Sequence, residues 1–199
     1  MKFNLILLAI GLFAFTVGDN QTDRLSVPGP LRFNDSDFKL KWTDKPNDKY
    51  YVQEYLPDSE ALDSFTQMIT IHLFNTEISV EDAVKQKTKE LNKRKKSDPI
   101  CNFMVSESPN GEEFIVDFLL GESKNNAMTL VEFNAYKYKR IDIGGNKKGV
   151  AVYAYSRRAY GDATTDFMKI SRGCQENSPA TDDRNGDSFD QNFRQIKHR

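Results

Sequence analysis

Few side chains in this sequence are of the types that carry out nucleophilic or acid–base catalysis. The 199 residues include two histidines and two cysteines, too few in one chain for a three-histidine catalytic zinc site or a four-cysteine structural one. His198 lies beside the last residue, where chain ends usually fray, and His72 lies within a predicted strand. The sequence has no phosphate-binding loop, zinc-protease motif or Gly-x-Ser-x-Gly motif. We therefore expect no catalytic residue, no metal and no cofactor.

One enzymatic alternative stays open because the sequence is rich in carboxylates. A histidine and a carboxylate within hydrogen-bond distance, or two carboxylates on either side of a scissile bond, can act as general acid and base. Eight acids lie on predicted turns and strand edges, and their positions alone select no pair. A hydrolase with its site near Glu54 and His72 is the alternative to a protein without catalytic activity.

Charge is unevenly distributed along the chain, although the net charge is only −1. Residues 106–122 contain five acids and no base, whereas residues 133–158 contain seven bases and one acid. Tyrosines interleave with these bases, and aromatic rings beside cations can bind sugars or anions through stacking and charge. The structural alternative is cross-strand packing of the tyrosines beneath long basic side chains. The candidate ligand-binding residues are Tyr136, Lys137, Tyr138, Lys139, Arg140, Tyr153, Tyr155, Arg157 and Arg158.

The first eighteen residues have the pattern of an export signal. Lys2 gives a positive start, residues 3–17 are apolar at all but three positions, and Gly18 places a small residue at the cut. The apolar run is shorter than the about 20 residues that a bilayer span needs, and the alternatives are a membrane anchor or a buried first helix. No later stretch is long and apolar enough to span. We expect a periplasmic or secreted protein with no transmembrane segment in its mature chain.

Export also reduces the number of expected partner classes and changes how the cysteines are interpreted. An exported protein does not normally meet nucleic acid, so we expect an acidic protein, a glycan or an envelope polymer, bound through the basic, tyrosine-rich hairpin. Outside the cytosol, Cys101 and Cys174 could oxidise to a disulfide. Two buried free thiols are the alternative.

Period-two alternation of apolar residues predicts a chain dominated by strands. Ser79 caps a predicted long helix that Pro99 ends, and Asp162 caps a predicted short helix over residues 163–172. These elements indicate an α+β fold, with one antiparallel sheet of six to seven strands and one long and one short helix packed on it. The predicted strands cover residues 38–42, 50–56, 65–74, 100–106, 113–120, 127–143 and 150–160.

The predicted elements form a single domain between two polar ends. Residues 19–37 contain a Pro-Gly-Pro stretch and are expected to be an extended lead-in. Residues 38–173 form the predicted domain. Residues 174–199 are polar and are expected to be a largely flexible tail.

The order of these elements resembles the PsbP-like fold, in which strands, a crossing helix, an antiparallel meander and a closing helix follow one another. The stretches Tyr51-Val-Gln-Glu-Tyr-Leu-Pro57 and Phe65-Thr-Gln-Met-Ile-Thr70 also resemble exported bacterial proteins of unknown function. The resemblance covers residues 38–172 and brings no functional residue with it. Because PsbP-like proteins are mainly binding or assembly factors, it implies a non-catalytic protein, by fold analogy alone.

Overall fold

Strands make up most of the chain that the structure describes. The computed structural model describes residues 22–145 and 147–176, with two helices and eight strands in that part of the chain. Helix α1, Val80–Arg94, connects β4 to β5, and helix α2, Thr164–Glu176, follows β8 after a short 3-10 turn. The predicted signal peptide and most of the predicted tail lie outside the described residues. The strands are β1 Leu31–Phe33, β2 Ser36–Asn47, β3 Tyr50–Leu56, β4 Gln67–Phe74, β5 Asn102–Glu107, β6 Glu113–Lys124, β7 Ala127–Gly144 and β8 Lys147–Tyr160.

These strands form one antiparallel sheet in the order β1-β2-β3-β4-β8-β7-β6-β5. Strands β1–β4 form one meander and β5–β8 form a second, because consecutive strands within each set are neighbours. The two meanders meet where β4 pairs with β8, from the Gln67–Arg157 pair to the Phe74–Val150 pair. Helix α1 carries the chain from β4 to β5 at the far edge, and the sheet curls into a half-barrel.

The predicted α+β fold, with six to seven strands and one long helix, is therefore wrong. The described chain is mostly sheet, the strands number eight, and both helices are short, at 15 and 13 residues. The prediction omits β1 because three residues are too few to show an alternating pattern. Asn34 and Asp35 have positive φ angles of 47° and 59° and form the tight turn that folds β1 against β2. The PsbP-like resemblance remains a prediction.

Alternate side chains of the central strands enter two separate cores. On one side, which we call the α1 face, Val116 and Val152 share a core with the apolar residues of α1. On the other, which we call the N-terminal face, Ile71 and Tyr153 share a core with Val27 from the segment before β1. Because the middle of the sheet is buried on both faces, its strands carry apolar residues in both phases.

A buried glutamine positions the segment before β1 over the N-terminal face. Gln53 is fully buried in β3, and its Oε1 accepts hydrogen bonds from the backbone N–H groups of Arg24 and Leu25 at 2.6 and 3.0 Å. Its Nε2 donates to the Tyr55 hydroxyl at 2.5 Å, which donates in turn to the Val27 carbonyl at 2.6 Å. Since buried polar groups are nearly always paired, these bonds specify where the segment lies.

A buried carboxylate ties the end of α1 to β6. Asp98 is 5% exposed, and its Oδ2 accepts hydrogen bonds from Arg94 Nε at 3.1 Å and from the Gly121 N–H at 2.8 Å. Its Oδ1 accepts from the Ile100 N–H at 3.0 Å. A Cβ atom at Gly121 would lie 2.8 Å from the Ile100 side chain, so the close approach requires glycine.

Replacing Asp98 with alanine should destabilise the protein by about 2–4 kcal/mol, because Arg94, the buried Gly121 N–H and the partly buried Ile100 N–H lose their acceptor. Urea denaturation followed by circular dichroism measures the free energy of unfolding. Glu122→Ala removes an exposed acid from the neighbouring part of β6 and should change that free energy by less than about 0.5 kcal/mol. Equal stability of D98A and the wild type would show that this network does not hold the helix end.

Candidate functional site

The four tyrosines of the predicted ligand-binding set lie inside the two cores. Tyr136 and Tyr138 belong to the core of the α1 face, and Tyr153 and Tyr155 belong to the core of the N-terminal face. All four are buried, and the most exposed, Tyr136, is only 8% exposed. Their rings contact other aromatic rings, as where the centroids of Tyr136 and Phe118 lie 4.9 Å apart. Stacking on an external ligand would require these rings to leave the core.

Two of the predicted basic residues are engaged by one carboxylate. Glu113 on β6 forms ion pairs with Lys137 at 3.0 Å and with Lys139 at 2.5 Å. Partial burial acts to raise the pKa of Glu113, but the hydrogen bonds and charges of the two lysines outweigh it and hold the pKa below its usual value. Lys137 is itself buried, opposite Tyr153 in the pairing of β7 with β8. These lysines therefore belong to the sheet's internal charge pairing.

Two of the three predicted arginines, Arg157 and Arg158, lie near the end of β8. Arg158 forms an ion pair with the buried Glu132 and lies 3.9 Å from the centroid of the Phe65 ring. Arg157 is exposed and lies 5.8 Å from the centroid of the Phe167 ring. Arg157 is seven residues from Val150, which pairs with the predicted Arg140, and this corresponds to about 23 Å along an extended strand. The predicted residues therefore do not form one continuous basic surface.

The remaining base, Arg140, lies near the tip of the β7–β8 hairpin. Arg140, Lys147 and Lys148 are exposed, and in the described part of the chain none of them forms an ion pair. We call these three residues the basic tip. Asp142 lies opposite Lys148, and its Oδ1 accepts a hydrogen bond from the Gly144 N–H at 2.8 Å.

The hairpin carries Lys147 and Lys148 past the last pairs that its strands form with β4 and β6, and Arg140 lies at the base of this extension, opposite Val150. Pairing with β6 starts at the Glu113–Lys139 pair, and pairing with β4 ends at the Phe74–Val150 pair. At residues 141–144 and 147–149 the two strands of the hairpin pair only with each other among the described strands. Four residues of β7 and three of β8 therefore extend past the neighbouring strands, by roughly 10–13 Å at the rise of an extended strand. Ile141 and Ile143 of this extension pack against the core of the N-terminal face.

Sequence reasoning missed a row of buried polar residues on the α1 face. Ser156 Oγ donates to Asn134 Oδ1 at 2.7 Å, and Asn134 Nδ2 donates to Glu132 Oε1 at 2.9 Å. The Arg158 guanidinium then donates to Glu132 and completes the row. Glu132 and Asn134 alternate in phase with Tyr136, so their side chains point to the same face of the sheet. This alternation could have predicted that they are buried and hydrogen-bonded to each other or to neighbours, since polar residues on a buried face need partners.

His72 has a tyrosine as its hydrogen-bond partner. Its Nδ1 lies 2.8 Å from the Tyr50 hydroxyl, and its ring stacks on the Tyr50 ring with a centroid distance of 6.0 Å. Burial, together with the smaller effect of the Lys87 charge, lowers the pKa of His72 to about 3. The imidazole is therefore neutral at physiological pH and lies in the core, as a satisfied structural histidine does.

Glu54 is the other residue of the enzymatic alternative. It lies on β3 opposite Thr70 of β4, and burial raises its pKa to about 7, an effect that the charge of Arg158 partly offsets. A carboxyl group with such a pKa can exchange protons near neutral pH. However, Glu54 forms no hydrogen bond with His72, so the pair lacks the acid–base contact that a hydrolase of this type needs.

Lys87 interrupts the apolar stripe of α1 and lies inside the core of the α1 face. Its Nζ is 4.7 Å from the centroid of the Phe118 ring and 5.1 Å from that of Tyr136, and it lies 3.4 Å from Glu90 Oε1. Burial lowers its pKa. The aromatic rings and the carboxylate compensate for the buried charge, which accounts for the break in the helical pattern.

Of the two alternatives for Cys101 and Cys174, a disulfide or free thiols, the structure shows no disulfide among the residues that it describes. Cys101 is a free thiol in the core of the α1 face, and its sulfur lies 3.6 Å from the Leu91 carbonyl oxygen. Burial raises its pKa, which makes the thiol less reactive. The side chain of Cys174 lies outside the described residues.

The described surface also has a shallow groove beside the segment before β1. It encloses about 720 Å³ and is lined by charged, hydroxyl and aromatic side chains that include Arg24, Lys45 and Tyr51. Lys45 lies over the Tyr51 ring and is ion-paired with Asp48 at 2.7 Å.

Within residues 22–145 and 147–176, His, Cys, Asp and Glu side chains form no group of three that could hold a metal ion. In the same ranges, no helix is long and apolar enough to cross a membrane.

Comparisons with known proteins yield a family match and a distant structural likeness. A protein-family model matches residues 25–178, which include every described strand and helix. The crystal structure of LpqN, involved in cell envelope biogenesis of Mycobacterium tuberculosis, is similar at 15% identity over 77% of this chain and 79% of that chain, with a TM-score of 0.28. A likeness this low carries no argument about function. No curated protein matches the sequence.

Glu54 and His72 should make opposite contributions to the pH dependence of stability. The folded state binds the Glu54 proton more tightly than the unfolded state. The protonated carboxyl therefore contributes to the free energy of unfolding at low pH, and this contribution is lost as the pH rises from about 4.5 to about 7. For His72 the folded state disfavours the proton, so its contribution is lost as the pH falls from about 6.5 towards 3. The free energy of unfolding of Glu54→Gln, relative to that of the wild type, should therefore increase by about 1–3 kcal/mol as the pH rises from 4.5 to 7.

Urea denaturation at half-unit pH steps measures this gain. Glu77→Gln, which neutralises an exposed acid on the link between β4 and α1, should run parallel to the wild type across the same range. A Glu54→Gln curve that is also parallel to the wild type would show that burial does not raise the pKa of Glu54.

Proposed function

We propose that this chain, which belongs to the uncharacterised protein family whose model spans residues 25–178, is an exported binding or assembly module without catalytic activity. The environment of His72 supports the non-catalytic part, because the imidazole is neutral and bonded to Tyr50 rather than to a carboxylate. Export is supported by the signal pattern of residues 1–18.

The observation that carries the binding proposal is the exposed charge of the basic tip, which forms no ion pair with a described residue. Arg140, Lys147 and Lys148 are held on two paired strands that extend past the neighbouring strands. Charged groups that project from a sheet and lack internal partners are available to an external anion, and they increase association rate and selectivity. Because the four tyrosines are buried, we assign recognition to charge and not to aromatic stacking.

The chemistry of the basic tip defines the class of partner. Two lysines and one arginine within a few residues match a surface with closely spaced negative charges, such as an acidic protein, a glycan or an envelope polymer. The single acid at the tip, Asp142, is partly engaged with the Gly144 N–H and leaves an excess of positive charge. Binding of this kind should weaken as salt increases, since exposed charges are screened.

Reversing the charge of the basic tip, with Arg140→Glu, Lys147→Glu and Lys148→Glu combined, should weaken retention on an immobilised polyanion by at least about tenfold. Poly-glutamate and dextran sulfate columns at low salt supply an acidic polypeptide and a sulfated polysaccharide as probes. The matched control is Lys89→Glu, Lys93→Glu and Lys96→Glu, which makes the same charge change on the exposed side of α1 and beyond its end. Equal loss in both triple variants would show a net-charge effect and contradict a local site.

Expression with the native N-terminus tests export. We expect the extracytoplasmic product to begin near Asp19, as measured by intact mass, and its mass to be unchanged by reductant because Cys101 is free. Retention of the first eighteen residues would contradict the export proposal and leave the charge-reversal result to be judged separately.

A further inference from the structure

The two edges of the sheet are protected to different degrees. Edge strands expose unpaired backbone N–H and C=O groups, and natural sheets shield them with charges, prolines, bulges or short length. Strand β1 is three residues long, and its central Arg32 is paired with Asp35 and Asp37 at 3.7 and 3.1 Å. Strand β5 is six residues long and pairs with β6 without a register shift. Its first five residues, 102–106, include no charge and no proline.

Strand β5 also exposes apolar side chains on both faces of the sheet. Met104 is 37% exposed and Val105 is 40% exposed, and they are two of the four exposed large hydrophobic residues in the described chain. Adjacent residues of a strand point to opposite faces. The β5 edge therefore combines free backbone groups with apolar surface above and below, which is the arrangement that favours strand addition.

We propose that two copies of this chain pair antiparallel through β5 about a two-fold axis at Met104, so that their sheets become continuous. In an antiparallel pair, residues directly opposite each other lie on the same face. This register places Met104 opposite Met104 and Phe103 opposite Val105, twice by symmetry. Moving the axis to Val105 would place Phe103 opposite Glu107 and lose these apolar pairs. A symmetric contact of this kind closes as a dimer.

Charges at the two ends of β5 favour a second copy as the occupant. Lys95 at the end of α1 lies 4.5 Å from the centroid of the Phe103 ring and 3.4 Å from Asn102 Oδ1. Glu107 at the other end of the strand is exposed and forms no ion pair with a described residue. Antiparallel pairing about Met104 places Glu107 of each copy diagonally across from the other copy's Phe103, beside its Lys95. Long side chains reach across such diagonals, so the dimer gains two ion pairs.

Sedimentation-velocity ultracentrifugation of the full exported chain, from about 1 to about 200 µM, tests the proposal. We expect a concentration-dependent monomer–dimer equilibrium. Val105→Lys should raise the dissociation constant by at least about tenfold, since it buries a charge at the paired edge. The matched control is Ile170→Lys, at an exposed apolar residue of α2, and it should leave the equilibrium unchanged. Circular dichroism melting of both variants confirms that they fold.

A charge exchange tests the ion pairs without touching the apolar contacts. Lys95→Glu and Glu107→Lys should each weaken the dimer by about three- to tenfold, because each sets like charges opposite each other. The double variant should restore wild-type affinity, because the pair is rebuilt with opposite polarity. A protein that is monomeric throughout this range, as it would be if another part of its own chain covered β5, overturns the proposal. A dimer that Val105→Lys and both single charge variants leave intact also overturns it.

Discussion

The pairing of β4 with β8 is the contact on which the rest of this structure depends. It runs over eight residue pairs and is the place where the two meanders of the described sheet are joined. Residues on both strands are buried on both faces, so Ile71 and Tyr153 enter one core while Val152 and His72 enter the other. The two cores thus lie on opposite sides of the same central strands, and both contain residues of β8.

Burial on both faces determines what happens to polar residues at the centre of the sheet. A polar group there needs a partner inside the protein, and three of the central ones show it: Gln53 binds the N-terminal segment, His72 bonds to Tyr50, and Asn134 joins Ser156 to Glu132. These bonds specify packing and leave the groups unavailable to a ligand. The chain's capacity for binding therefore lies at the margins of the sheet, with charge at the projecting hairpin and apolar surface at the β5 edge.

Local patterns predicted the elements better than they predicted their environment. Tyr50–Leu56 was expected as a strand at the bounds that the structure has, and Ser79 caps α1 through the Asp82 N–H as expected. Strand β1 was not predicted, because its three residues depend on pairing with β2 for their strand conformation. The interleaving of tyrosines and bases on β7 and β8 was predicted as one surface. Alternation places Tyr136 and Lys137 on opposite faces, and it does not indicate that both faces are covered.

The sequence by itself determined the strand-rich character, the helix between β4 and β5, the family membership and the basic composition of residues 133–158, because each depends on neighbouring residues or on similarity along the chain. Tertiary structure decided the rest. The spatial arrangement of the acids determines which basic residues form ion pairs. Glu113 forms ion pairs with Lys137 and Lys139, while Arg140, Lys147 and Lys148 remain exposed. Strand order leaves β5 at an edge, and this follows from pairing between residues far apart in sequence, which no local pattern encodes.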